Sequence, residues 1–332
     1  MTRPAINYAE QLSKRQYIPG FKPPADSVIF KIQNEAIGSL QSFIVFSGLP
    51  KSGKSSFLTA ALASVITGRE VFGMQLIPIQ DRPKIAYFDT ESSIFDFYSH
   101  MDRLKRFADI SELPGYIMPY HTREDGPGMQ KALINQHIKE HPDTSIIFID
   151  GLLDMCLNYN DEKETRELII WLKKMTTKHN ILMICVLHTG KDGSQRLGHL
   201  GANTDRWAQS TLTVKKEDGK FLLEPKFLRS SGGFVPIELE YSKELRMLIQ
   251  VNAGETESKK HWKFYTEDQH FEKIDKIFQQ QSSFTYDDFI QAIKNIELRG
   301  INYCKEYFSL MKKNEWIRQN YNQHWVDSRK LF

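Results

Sequence analysis

A glycine-rich loop near the start of the chain holds the residues whose types and spacing most clearly indicate chemistry. Between an apolar run and a helical pattern the sequence places, in order, Gly48, Leu49, Pro50, Lys51, Ser52, Gly53, Lys54, Ser55 and Ser56. This context predicts a phosphate cradle, because the glycines let backbone N–H groups and a helix N-terminus approach an anion. Lys54 would then reach the β- and γ-phosphates of a nucleotide, and the Ser55 hydroxyl would bind Mg²⁺. The plainer alternative is a Gly/Ser turn ahead of a core helix.

The segments around this loop indicate how it is positioned. Residues 42–46 form an apolar run before it, and apolar residues recur at helical spacing from Phe57 to Ile66 after it. Three further apolar runs, at 85–88, 146–149 and 181–187, are long enough for strands buried on both faces. Because helical patterns separate these runs, the sequence predicts an α/β fold with a mainly parallel sheet.

Polar residues follow the three later runs, at the edge where open α/β sheets bind ligands. Asp89 and Glu91 follow the first, Asp150 the second and His188 the third. Asp150 would hold Mg²⁺, Glu91 would orient or deprotonate an attacking water, and His188 would sense the γ-phosphate. Each residue also has a plainer interpretation. Asp150 could cap the segment that follows it, Glu91 could be a first-turn glutamate of a helix over 92–109, and His188 could be a core histidine.

Four segments together resemble a known family. They are GLPKSGKSSF from Gly48, IAYFDTE from Ile85, IIFIDGL from Ile146 and VLHTGK from Val186. Over roughly residues 30–250 the chain resembles RecA-like ATPases of the hexameric replicative-helicase group, especially short RepA-type plasmid helicases and related ATPases of mobile elements and phages. The resemblance implies that ATP and Mg²⁺ are bound, that Glu91 is the catalytic glutamate and Asp150 the magnesium aspartate, and that His188 reports the γ-phosphate to a DNA-facing loop at 189–202. That loop contains Lys191 and Arg196, which equally suit an ordinary surface loop.

The family also implies assembly. Ring ATPases of this kind place an arginine of one subunit against the γ-phosphate held by its neighbour. The resemblance therefore implies a homo-oligomer, with a hexameric ring as the family's form. Arg229 is our candidate for this arginine, although two residues separate it from Lys226 where many relatives have one. Arg206 is the second candidate, and an exposed basic pair at a strand end is the alternative interpretation.

Composition excludes several other classes of protein. The chain has 332 residues, 40% of them hydrophobic, and lacks an apolar run of membrane-spanning length. Its three cysteines, Cys156, Cys185 and Cys304, match neither a disulfide framework nor metal-ligand spacing, so we expect a cytoplasmic protein without a membrane partner. The net charge of +3 is small, so a DNA contact would have to come from local patches.

The pattern changes after about residue 252. We predict an N-terminal arm at 1–28, a RecA-like ATPase domain at 29–252, a linker at 253–269 and a winged-helix-like domain at 270–332. Three helical stripes and a hairpin around 316–326 suggest the last of these, and its third helix would face duplex DNA or a protein. The outward residues of that helix are Lys305, Ser309, Lys312 and Lys313. Protein docking or a structural role is the alternative, because the motifs are unspecific.

Together with these features, the resemblance implies an ATP-hydrolysing, oligomeric DNA helicase or translocase that serves replication of a mobile element, plasmid or phage, with single-stranded DNA at the core. Two other classes fit the same residues. One is a DNA-remodelling or recombinase-like ATPase without unwinding activity. The other is a nucleotide-switched module that regulates DNA or a partner.

Overall fold

The computed structural model describes residues 7–13, 15–20, 28–190, 198–242, 247–250, 262, 265–279, 281–297 and 301–330. The chain divides into two compact units, Met1–Val251 and Asn252–Phe332. Lys191 and Arg196 of the predicted DNA-facing loop, and most of the predicted linker, lie outside the described residues.

The first unit is built on a nine-stranded sheet. In spatial order its strands are β12 (Met247–Gln250), β11 (Ile237–Ser242), β10 (Lys220–Leu228), β9 (Ser210–Glu217), β3 (Ser42–Gly48), β8 (Leu182–His188), β7 (Thr144–Asp150), β5 (Lys84–Asp89) and β6 (Ile117–His121). The strands from β9 to β6 pair in parallel, whereas β9 to β12 pair antiparallel. A separate sheet has the order β2 (Glu35–Ser39), β1 (Val28–Ile32) and β4 (Met74–Leu76).

Burial on both faces explains the continuous apolar runs of the central strands. Successive residues of a strand point to opposite faces, so along β3 the side chains of Ile44 and Phe46 enter one core and those of Phe43 and Val45 enter the other. Helices cover both faces. The first core includes residues of α2 (Lys54–Thr67) and α3 (Ile94–Ala108), and the second includes residues of α4 (Pro127–Glu140) and α5 (Glu162–His179). The predicted α/β class with a mainly parallel sheet is therefore confirmed.

Two shorter helices complete the described part of this unit. They are α1 (Tyr8–Ser13) and α6 (Gly198–Trp207), and a 3₁₀ turn over Leu152–Met155 follows β7. The helix predicted over 92–109 is shorter, since α3 begins after Ser93, whose hydroxyl accepts the Asp96 N–H as an N-cap. Glu91 therefore lies before this helix and outside its first turn.

The second unit contains α7 (Glu267–Phe278), α8 (Tyr286–Glu297) and α9 (Ile301–Lys313), followed by an antiparallel hairpin of β13 (Ile317–Gln319) and β14 (Trp325–Asp327). Helix α8 begins after Thr285, whose hydroxyl accepts the Asp288 N–H at 3.3 Å. A core that includes Ile274, Phe289 and Tyr307 joins the three helices. The predicted hairpin is confirmed, while the winged-helix assignment remains a prediction.

Among the described residues, every helix is too short or too polar to cross a lipid bilayer.

Candidate nucleotide-binding site

The glycine-rich loop joins strand β3 to helix α2, and its backbone geometry requires glycine at two positions. A Cβ atom at Gly48 would lie 2.2 Å from the backbone oxygen of Val214 on the neighbouring strand β9. Gly53, which immediately precedes α2, has φ near +92°, in the left-handed region that side chains rarely adopt. A Cβ at Gly53 would also meet the Phe221 ring at 2.6 Å. These constraints explain the glycine spacing that the sequence displays.

The N-terminus of α2 is suited to an anion. Gly53 precedes the helix and supplies no side chain, so no side-chain hydrogen bond caps the first N–H groups of this described helix. The N–H groups at the start of α2 and the positive end of the helix dipole can therefore face phosphate oxygens. These features fit the triphosphate of ATP.

Lys54 is buried at the start of α2, and protein acceptors occupy its ammonium group. Its Nζ donates to the backbone oxygens of Gly48 at 2.9 Å and Leu49 at 2.7 Å. A third contact, of 3.1 Å, joins Nζ to Nδ1 of His188. Since an ammonium has three protons, these contacts use its full donor capacity. A phosphate that binds Lys54 must therefore replace one of them.

His188 connects Lys54 to Glu91. An ammonium only donates, so Nδ1 of His188 accepts from Lys54 and the ring proton lies on Nε2. Nε2 then donates to the Glu91 carboxylate, with distances of 2.9 Å to Oε1 and 2.7 Å to Oε2. This hydrogen bond is the main reason that the pKa of Glu91 is lowered. Glu91 is thus a carboxylate whose side chain, 51% exposed, borders the cavity.

Asp150 ends strand β7 beside the helix that carries Ser55. Burial raises the pKa of Asp150 to about 6. The hydrogen bonds that its carboxylate accepts from Tyr87 and Ser55 act in the opposite direction and lower this pKa. A hydroxyl next to a buried carboxylate supplies the oxygen ligands that Mg²⁺ prefers. The residues present therefore fit Mg²⁺, which when bound would neutralise charge on the phosphates.

One cavity of about 690 Å³ brings these groups together. Of the predicted site residues, it is lined by Lys51, Gly53, Lys54, Ser55, Ser56, Glu91, Asp150 and His188. Gly48, Leu49, Pro50 and Ser52 lie on the other side of the loop, where with Lys51 they line a second cavity of about 660 Å³. The register explains the convergence, since Gly48 pairs with His188 and Asp89 with Asp150 at the carboxyl edge of the sheet.

Arg229 lies elsewhere in the same unit. Its backbone N–H donates to Gln209, and its guanidinium donates to the backbone oxygens of Ala208, at 3.0 Å, and Arg206. It thereby satisfies carbonyl groups at the C-terminal end of α6, where cations are favoured. Lys226 pairs with Asp205 at 3.0 Å. Neither residue lines the 690 Å³ cavity, so a role for Arg229 in hydrolysis would require a second subunit.

Sequence reasoning missed several residues that line this cavity. One group comes from the polar stripe of α3, where Asp96, His100 and Arg103 recur at helical spacing, a pattern that the sequence did contain. Arg123 follows β6 and lowers the pKa of Glu91 through its charge. An apolar group, Phe221, Tyr241 and Leu248, comes from β10, β11 and β12. No local signal in the sequence places these antiparallel strands next to the loop.

The mainly parallel sheet and the loop between β3 and α2 define a RecA-like P-loop core. Residues 35–194, slightly less than half of the chain, match the model of a family described as AAA domain. This match supports ATPase activity in general and, with it, nucleotide binding that usually involves Mg²⁺. A search of the curated proteins found no match.

The buried ammonium of Lys54 should make nucleotide affinity depend on pH. Burial lowers the pKa of Lys54 from 10.5 to about 8, although the charges of Glu91 and Asp150 act in the opposite direction. Phosphate attracts only the protonated form, so affinity for ATP should fall by up to about tenfold per pH unit above about pH 8. Titration of a fluorescent ATP analogue between pH 7.5 and 9.5 measures this, with melting temperatures as the control for folding. A constant affinity across that range would contradict the assignment of Lys54 as the residue that binds the phosphates.

Proposed function

We propose that this protein is an ATP-hydrolysing, oligomeric DNA helicase or translocase that serves replication of a mobile element, plasmid or phage. The family match supports the ATPase part of this proposal. The four segments that resemble short RepA-type helicases support the DNA-directed part. Single-stranded DNA at the core and duplex DNA or a protein at the second unit are the partners that we propose.

The observation that carries the proposal is the chain of contacts from Lys54 through His188 to Glu91. A γ-phosphate that replaces His188 as an acceptor of Lys54 takes a proton donor away from Nδ1 of that histidine. His188 ends strand β8, and residue 189 begins the segment that leads to α6. The same histidine therefore contacts the phosphate-binding lysine and the proposed catalytic Glu91, and it immediately precedes the segment proposed to face DNA. Such a connection can couple nucleotide state to DNA contact.

A comparison of ATP turnover with and without single-stranded DNA tests the proposal. Sizing in the presence of a non-hydrolysable ATP analogue and a strand-displacement assay accompany it. Stimulated turnover with strand displacement by an oligomer supports a helicase. Stimulation without displacement would instead indicate a remodelling or recombinase-like ATPase, and tight ATP binding with negligible turnover would indicate a nucleotide-switched regulator.

Exposed lysines on α9 allow a test of the duplex contact. We expect the double variant Lys305→Ala/Lys313→Ala to bind duplex DNA about tenfold more weakly at fixed salt. The salt dependence of binding should fall by roughly two released counterions, because each lost phosphate contact removes about one. Lys312 is left in place because its ammonium lies 5.6 Å from the Trp325 ring and supports packing.

The matched control for this prediction is Lys276→Ala, which removes an exposed lysine of α7 that pairs with Glu272. Filter binding or fluorescence anisotropy at several salt concentrations gives both quantities. Unchanged affinity and salt dependence in the double variant would assign the second unit to a partner other than duplex DNA.

A further inference from the structure

Three polar side chains converge at the wall of the proposed nucleotide site. Asp89 ends β5, Asp150 ends the adjacent strand β7, and His100 lies in α3. One ligand atom of each lies within 4.8 Å of the corresponding atoms of the other two. The strand register makes this cluster possible, since Asp89 and Asp150 are paired residues of parallel neighbours.

Two atoms of this cluster lack the hydrogen bonds that buried polar atoms ordinarily make. The Asp89 side chain is 0% exposed, and its Oδ2 has no hydrogen-bond partner among the described residues. The same holds for Nδ1 of His100, which faces Asp89 Oδ2 at 4.0 Å, too far for a hydrogen bond. A buried carboxylate oxygen without a partner costs free energy, so its retention needs an explanation.

We propose that Asp89, His100 and Asp150 form a binding site for a divalent transition-metal ion, a second site that shares Asp150 with the one proposed for the Mg²⁺ that accompanies the nucleotide. Two carboxylates and one imidazole make a mixed oxygen and nitrogen donor set, which suits Mn²⁺, Co²⁺ or Zn²⁺ better than Mg²⁺. Ligand atoms around such an ion lie about 3–3.5 Å apart, given metal–ligand bonds of about 2.1 Å. Small side-chain rotations would close the present separations to that value.

The two carboxylates of the cluster favour a cation. Asp89 and Asp150 bring two carboxylates to one buried place, and burial together with the charge of Asp89 raises the pKa of Asp150. Arg103 opposes a cation there, since its charge acts on His100. Access is available because His100 and Asp150 both line the 690 Å³ cavity.

The ion would also act on the proposed catalytic turn. Oδ1 of Asp89 accepts the backbone N–H groups of Glu91 at 3.1 Å and Ser92 at 2.8 Å. A metal ion on Oδ2 would fix this carboxylate and, through it, the turn that carries Glu91. The site would therefore act as a positioning element beside the nucleotide.

Mn²⁺ binding to the full chain without nucleotide tests the proposal, and it does not depend on whether the protein unwinds DNA. Electron paramagnetic resonance counts bound Mn²⁺ in millimolar Mg²⁺, which occupies sites built from oxygen alone. We expect one bound Mn²⁺ per chain with spin-echo modulation from an imidazole nitrogen. That modulation is a direct signature of histidine ligation, which a purely structural His100 would not give.

Variants assign the ligands. His100→Leu should remove the nitrogen modulation and weaken Mn²⁺ binding at least tenfold. Asp89→Asn should weaken binding similarly, while its amide oxygen can still accept the Glu91 and Ser92 N–H groups. Asp96→Asn is the matched control, because it removes a charge from the same helix and cavity without removing a ligand. Melting temperatures check that each variant folds.

Two results would overturn the proposal. One is a wild-type protein that binds no Mn²⁺ in millimolar Mg²⁺. The other is bound Mn²⁺ without nitrogen modulation, which would place the ion at a different, oxygen-only site. Both results are read from the wild-type spectrum, so an unfolded variant does not affect them. Nitrogen modulation that persists in a folded His100→Leu variant would also overturn the proposal, because His188 lines the same cavity.

Discussion

Glu91→Gln is expected to retain ATP binding and to lose turnover by about 10² to 10³, because an amide can neither accept the proton of an attacking water nor stabilise it as a carboxylate does. The lysine, the Ser55 hydroxyl and the loop N–H groups that face phosphates are unchanged in this variant. Single-turnover hydrolysis and the affinity for a fluorescent ATP analogue measure the two quantities separately.

Lys54→Ala should give a different defect. The substitution removes the one charged side chain of the loop that is both buried and part of the cavity lining. Both ATP binding and ATP turnover should therefore fall. Glu112→Gln, a change at an exposed acid that does not line the cavity, is the control for surface charge. Near-parental hydrolysis by Glu91→Gln would reassign Glu91 as a residue that only orients His188.

Arg229→Ala should leave nucleotide binding intact but cut turnover by roughly 10³ or more if Arg229 reaches the γ-phosphate of a neighbouring subunit. Arg229 also has a structural role within its own subunit, because its guanidinium caps the end of α6. Loss of that cap alone would lower the melting temperature without the large effect on turnover.

A mixture of Lys54→Ala and Arg229→Ala subunits separates the two roles. Some interfaces in the mixture pair an intact phosphate loop with an intact Arg229, so partial activity should return although each variant alone is inactive. A folding defect would not be complemented in this way. Two results would contradict an ATPase site shared between subunits. One is a mixture that stays inactive while subunit exchange is demonstrated, and the other is hydrolysis of ATP at the full rate by dilute monomers. Arg206→Ala in the same assay tests the second candidate.

Strands buried on both faces were the part of the fold that could be predicted best. The runs that became β3, β5, β7 and β8 are continuous and apolar, because each side of the sheet is covered by helices. Strand β6 was not predicted, since Pro119 and two polar or aromatic neighbours interrupt its five residues. Strands at the edge of a sheet tolerate such residues, and so they carry a weaker signal.

The candidate site was predictable where its residues follow the strands and unpredictable where it depends on distant pairing. Lys54, Glu91, Asp150 and His188 all lie at strand ends or in the loop, so sequence position alone places them at one edge. The contact of His188 with both Lys54 and Glu91 depends instead on side-chain directions across three elements. The approach of His100 to Asp89 likewise depends on how α3 packs, which a hydrophobic pattern does not specify.

Pro119 has a consequence for how copies of this chain could associate. It lies in the middle of β6, the last strand of the nine-stranded sheet, opposite Tyr87 of β5. A proline has no amide proton, so a strand from another molecule that aligned with this edge would miss a ladder bond at its centre. Extension of the sheet from one molecule to the next is disfavoured at this edge. Any subunit contact made at this edge would then use side-chain surfaces, which can separate and re-form as nucleotide is turned over.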